Sequence, residues 1–201
     1  MEPGVNRTRD WAPELPWFAA YTRYQHEKGV AEVLASKGFE TFLPLYAVTH
    51  RWKDRFKNLS LPLFPCYVFF RGSLARRIEI LTTPGLHWLV GCGGCPSEIP
   101  RAEVEALQRA MGEGVKVEPY PFLKYGDWVR VKSGPLTGIE GILVRKKNRS
   151  RLVLSIELLQ KSATVEVDGF AVERVGGERT ALGVRSLPNE FLGEGRKSLR
   201  C

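Results

Sequence analysis

Apolar positions along this chain change their period several times, and each change marks an element. Trp17 to Thr22 is a short apolar and aromatic run that predicts a first strand. Gln25 to Lys37 then carries Val30, Val33 and Leu34 at helical spacing and stops at Gly38. Phe39 to Val48 is rich in aromatic and β-branched residues but is broken by Pro44, as in a bent or edge strand. His50 to Asn58 is polar and basic with interleaved aromatics and predicts a protruding hairpin. Leu61 to Phe70 and Leu86 to Val90 return as strands. Pro100 to Met111 predicts a helix, with Glu103 and Glu105 near its positive end and Val104, Leu107 and Met111 on one face. This order implies an α+β domain, an antiparallel sheet flanked by helices.

Residues 113–124 hold Gly114, Pro119 and Pro121 and predict a linker. Beyond it the period is that of strands. Val129 and Val131 alternate with Arg130 and Lys132, Gly134-Pro135 and Gly138 punctuate, and a second run begins at Ile139. Gly141 inside that run predicts a bulge or a close backbone approach. Leu152, Leu154, Ile156 and Leu158 share a face, as do Val165 and Val167. A small all-β barrel follows, with Val131, Ile142, Leu154, Ile156 and Val167 as its expected core. The expected division is a flexible 1–15, an N-terminal domain 16–112, a linker 113–124, a barrel 125–175 and a disordered, Gly- and charge-rich tail 176–201.

The second informative stretch is Leu61-Pro62-Leu63-Phe64-Pro65-Cys66-Tyr67-Val68-Phe69-Phe70. Two prolines bracket Leu63-Phe64, so the backbone there cannot complete a regular ladder. Phe64, Tyr67 and Phe69, with Tyr21 on the first strand, are expected to form an aromatic patch on one sheet face. Such a patch suits a protein partner, and the competing reading is that the rings fill the core under the helices.

Charge narrows the partners. The chain carries a formal net charge of +8 and a pI near 9.5, which favours acidic partners, nucleic acid first. The densest cluster runs from Arg145 through Lys146 and Lys147 to Arg151, at an expected hairpin tip. A phosphate contact there competes with a merely solvated loop. No apolar run approaches the roughly 20 residues of a membrane helix, and the N-terminus lacks a signal peptide's apolar core, so a cytoplasmic, monomeric protein without a membrane partner is expected.

Catalytic signals are missing: there is no phosphate-binding Gly-rich loop ahead of a Lys-Ser/Thr pair and no nucleophile elbow. A non-enzyme without cofactor is expected. Cys92-Gly93-Gly94-Cys95 invites a zinc reading, but a structural site needs four ligands and no second pair of thiols or histidines accompanies it. No metal is expected.

Taken in order, Trp17-Phe18-Ala19-Ala20-Tyr21-Thr22, Glu27, the Leu-Phe-Pro-x-Tyr-Val-Phe strand, Pro84-Gly85-Leu86, Ile99-Pro100 with Glu103-Val104, and the Gly126-Asp127-Trp128-Val129 hairpin resemble the NusG family. The hairpin resembles its KOW motif. The resemblance implies an N-terminal (NGN) domain followed by a KOW, SH3-like barrel, and a transcription elongation or antitermination factor. It implies binding to the RNA polymerase clamp through Tyr21, Phe64, Tyr67 and Phe69. It further implies KOW docking, around Leu158 and Leu159, on a ribosomal small-subunit protein or Rho. The segments 21–28 and 40–46 look more like the specialised, RfaH-like and polysaccharide-operon antiterminators than the general factor. Some of those contact non-template DNA, for which Arg23, His26, Lys28, Arg51, Lys53 and Arg55 are the matching candidates here, with Arg145, Lys146 and Lys147 on the barrel. A stand-alone RNA-binding or ribosome-associated KOW protein is the alternative. Cys66 stands where the family usually has Gly, which is harmless if its φ is negative.

Overall fold

The computed structural model describes residues 15–51, 56–122, 126–146, 149–168 and 171–175. The expected N-terminal extension and C-terminal tail lie outside these, apart from Leu15.

Strand β1 (Trp17–Thr22) runs through the middle of a four-stranded sheet, between β5 (Tyr67–Arg71) and β6 (Leu86–Leu89), with β2 (Glu40–Phe42) beyond β5. Its uninterrupted apolar sequence has a physical reason: both sheet faces are covered. Phe18 and Ala20 join Val68 and Phe70 against Val30 and Leu34 of helix α1 (Glu27–Ser36) and Ile80 of the short α2 (Arg77–Leu81). On the opposite face, Trp17, Ala19 and Phe69 belong to a core with Val104, Leu107 and Ala110 of helix α3 (Arg101–Gly112). Successive strand residues alternate faces, so Phe69 and Phe70 are both fully buried but in different cores.

Strands β3 (Leu45–Arg51) and β4 (Phe56–Pro62) pair into the expected hairpin, whose tip lies outside the described residues. The chain then turns at 63–66 before β5, so the run 61–70 is two strands rather than one. Between β6 and α3 a small hairpin is formed by β7 (Gly91–Cys92) and β8 (Cys95–Pro96).

The C-terminal half is a six-stranded antiparallel sheet. It contains β10 (Asp127–Val131), β11 (Glu140–Lys146), β12 (Arg149–Ile156), β13 (Lys161–Val167) and β14 (Val172–Arg174). Val131, Ile142, Leu154 and Ile156 are buried as expected, whereas Val167 is only partly covered. Gly141 makes the anticipated close approach: a Cβ there would lie 2.5 Å from the carbonyl oxygen of Val153.

The sixth strand is a correction. β9 (Val117–Tyr120) lies within the expected linker and pairs with β13 at the sheet edge, Ser162 opposite Tyr120 and Val165 opposite Val117. Pro119 had argued against a strand. At an edge, its missing N–H can face away from the ladder at little cost. Among the described residues no helix is long and apolar enough to cross a membrane.

Candidate functional site

The expected aromatic patch divides in two. Phe64 is 2% exposed and Phe69 0%. Their rings meet edge to face at 6.0 Å, and both belong to the core beneath α3. The irregular backbone between the prolines turns Phe64 inward, and the Tyr67 N–H closes the turn onto the Phe64 carbonyl at 3.2 Å. Proline bracketing predicted the turn correctly and the ring's direction wrongly. These two rings are core, not surface.

Tyr21 and Tyr67 remain half-exposed, and they do not stand alone. They are direct cross-strand partners on β1 and β5, and Trp88 is the partner of Tyr21 on β6. The three rings therefore form a row across three strands. Tyr21 stacks on Trp88 at 4.2 Å with 17° between planes and meets Tyr67 edge-on at 5.3 Å. Trp88 is 53% exposed. Burial holds the Tyr67 phenol above its usual pKa, with the neighbouring Tyr21 and Cys66 adding to the effect. An exposed Trp in a stacked aromatic row is the composition of a binding anchor. Sequence reasoning missed Trp88 because Leu86 to Val90 was read only as a strand. Its signal was a Trp at an alternate position of an edge strand.

Beside this row, the Arg23 N–H donates to the Gly85 carbonyl at 2.7 Å, and the His26 ring lies against Gly85. Arg23, Tyr24, His26, Lys28 and His87 are all exposed. The structure thus brings two of the candidate nucleic-acid residues, Arg23 and His26, beside the strand that carries Trp88, whereas Lys28 lines a pocket with Tyr46 and Pro65. Lys53, Arg55 and Lys147 lie outside the described residues, and Arg51, Arg145 and Lys146 are described only as backbone.

Cys66 departs from expectation. Its φ is +68°, the left-handed region that favours glycine. The buried Glu27 carboxylate, in the first turn of α1, accepts the Cys66 N–H at 2.8 Å and helps hold this conformation.

A second region joins the two halves. Glu103 Oε2 accepts the backbone N–H of Glu157 at 3.2 Å. Arg109 donates to the Thr137 carbonyl at 2.6 Å. Between α3 and the C-terminal sheet lies a cleft of about 490 Å³, lined by Glu103, Ala106, Arg109, Trp128, Gly141 and Leu154 among others. Burial pushes the Glu103 carboxyl up to about 7, aided by the charge of Glu157 and opposed by the backbone hydrogen bond. Leu158 is partly buried and Leu159 only 6% exposed, both in the core that continues into α3. The expected docking residues thus sit next to the seam between the two halves, and Leu159 is core.

The aromatic row thus lies on a four-stranded sheet covered by two helices on one face and one on the other, with Trp88 open to solvent. The NusG family model, described as transcription termination factor nusG, matches residues 15–108, just under half of the chain, and that segment belongs to the family. A transcription termination/antitermination protein NusG of Halalkalibacterium halodurans is 22% identical over 177 residues, covering 81% of this chain and 99% of that protein. One of Deinococcus radiodurans is 25% identical over 182 residues, covering 77% and 96%. Among solved structures, Thermotoga maritima NusG, studied for its domain interaction, aligns with a TM-score of 0.49 at 21% identity over 80% of this chain and 97% of that one. The MjSpt4:Spt5 complex in conformation B aligns with a TM-score of 0.28 at 19% identity, over 81% and 99%.

Proposed function

We propose that this chain is a transcription termination/antitermination factor that binds RNA polymerase through its N-terminal domain and suppresses pausing and termination. Family membership over residues 15–108 supports the class. The observation that carries the site is the row Tyr67–Tyr21–Trp88, half-exposed at its centre and open at Trp88. In this reading the three rings meet an apolar helical surface on the polymerase clamp, while Phe64 and Phe69 set the shape of the sheet from beneath. The C-terminal sheet acts as a KOW module that recruits a second partner, a ribosomal small-subunit protein or Rho. In the same reading Arg23 and His26, beside the Trp88 strand, and Lys28, on the same connection and first turn of α1, meet non-template DNA. The chemistry is binding, with no covalent step.

A specialised, operon-restricted role is the finer form of this proposal. Polymerase pull-down with wild type and with Tyr21→Ala/Trp88→Ala tests the site. Loss of polymerase from the double variant, with the fold intact, is the expected result. Undiminished capture would overturn the site, and a pull-down dominated by ribosomal RNA would overturn the function. Genome-wide occupancy restricted to a few transcription units would support the specialised form.

A further inference from the structure

The proposed function leaves Cys92-Gly93-Gly94-Cys95 without a role. In the fold this motif is a complete hairpin: Cys92 ends β7, Cys95 begins β8, and the two are direct partners in register. Gly93 and Gly94 take φ of +61° and +84°, the signs a two-residue type I′ turn requires at both central positions. That turn chemistry accounts for the glycines and makes no demand for thiols beside them.

Direct partners on antiparallel strands project to the same face of the ribbon, with Cβ atoms about 4.5–5.5 Å apart. Their Cα atoms lie about 4.5–5.5 Å apart, inside the range of about 4.4–6.8 Å that a disulfide spans. Disulfide Cβ atoms sit slightly closer, at about 3.5–4.5 Å, so closure draws the strands together. The backbones of the two strands are close-set at Gly91, where a Cβ would fall 1.8 Å from the Cys95 carbonyl oxygen, so this hairpin accepts only glycine there. Both cysteines are outside any disulfide, with Cys92 exposed and Cys95 half-buried. Two thiolates supply half of a tetrahedral zinc site, and among the described residues no group of three or more ligating side chains could hold a metal ion.

We infer that Cys92 and Cys95 form a reversible redox-modification site, a dithiol that closes to an intramolecular disulfide by exchange with a low-molecular-weight disulfide. The exposed Cys92 thiolate attacks one sulfur of the small disulfide. That S–S bond breaks, and one small thiolate leaves. Cys95 thiolate then attacks Sγ of Cys92 in the mixed disulfide and displaces the second. The two protons lost by the protein end on the two released thiols, and the small disulfide is reduced as the protein is oxidised. Disulfides that are exposed or strained are the more readily reduced ones, so the closed form reopens when the thiol pool becomes reducing. Val90, next to the hairpin, donates to the Ala19 carbonyl, and Ser97 donates to that of Val90. The site is thereby tied to the sheet edge near Trp88.

The test uses the full chain, both wild type and with Cys66→Gly and Cys201→Ser so that only two thiols remain. Metal is removed by chelation. Each protein is equilibrated in glutathione buffers of increasing oxidised fraction, acid-quenched, alkylated and mapped by mass spectrometry. The expected product is one peptide lighter by two hydrogens, linking Cys92 to Cys95 without glutathione and reopened by reduced glutathione. Cys92→Ser and Cys95→Ser in the two-thiol background should instead retain a glutathione adduct, formed faster on Cys92. Independent adducts on both cysteines of the two-thiol protein, links between chains, or persistent reduction across the series would each overturn the inference.

Discussion

The Glu103 carboxylate accepts the backbone N–H of Glu157, so a side chain of α3 is hydrogen-bonded to the main chain of the C-terminal half. The carboxylate is held where burial outweighs that bond, and its pKa rises to about 7. When the halves separate, the carboxyl returns toward an ordinary value near 4.5. A raised pKa means that the joined arrangement favours the protonated acid. Its contribution is therefore complete below the ordinary value and is lost as pH rises through about 7. Amide chemical shifts of α3 and of residues 157–159, followed from pH 5 to 8, should move toward the separated state at the alkaline end. Glu103→Gln, which stays neutral, should abolish most of that dependence.

Phe64→Ala is expected to destabilise the N-terminal domain by about 3–5 kcal/mol, the cost of emptying a packed phenylalanine site. Trp88→Ala, at a half-exposed position, should change stability by less than about 1 kcal/mol while weakening the polymerase binding proposed above. Denaturant melts alongside binding measurements separate the two variants. Equal stability losses would contradict the division of the aromatic set into core and surface.

Cys66→Gly should stabilise the fold, because a side chain in the left-handed region costs about 1–2 kcal/mol that glycine avoids. Removing the acceptor has the opposite sign. Glu27→Ala leaves the Cys66 N–H without its partner and should cost about 1–3 kcal/mol. Midpoints of urea unfolding for the two variants should move in opposite directions.

Gly141→Ala places a methyl 2.5 Å from the Val153 carbonyl oxygen, backbone that cannot rotate away. The β11–β12 ladder must shift to accept it, at a cost of about 1–3 kcal/mol. Hydrogen exchange should quicken at residues 141–144 and 152–154, with α1 and its separate core unaffected.

The elements were legible because their periods were strong. β1 was read with its observed bounds, and α3 lies one residue from expectation at each end. The antiparallel pairing of β11 and β12 followed from apolar runs flanking a basic turn. Three features were not legible, each for a tertiary reason. Phe64 lies in a turn whose rings could point either way, and only α3 on that face decides that it points in. Strand β9 exists because β13 offers an unpaired edge, which no local pattern in Val117–Tyr120 announces. Trp88 gains meaning only beside Tyr21, more than sixty positions away in the chain. The left-handed Cys66 has no glycine of its own to signal it, and only the family's usual Gly at that position pointed there.

Pairing of β9 with β13 also sets a leash length. Between the end of α3 at Gly112 and the start of β9 at Val117 only residues 113–116 are free, a span of at most about 14 Å. With β9 stripped from the sheet, the free chain would run from 113 to 126, and its limit would rise to about 50 Å. On the short tether the C-terminal sheet must stay beside the sheet that carries the aromatic row. On the long one, with the contacts across the seam also broken, the C-terminal sheet could reach several nanometres further, so four residues of edge strand set the working radius of one half about the other.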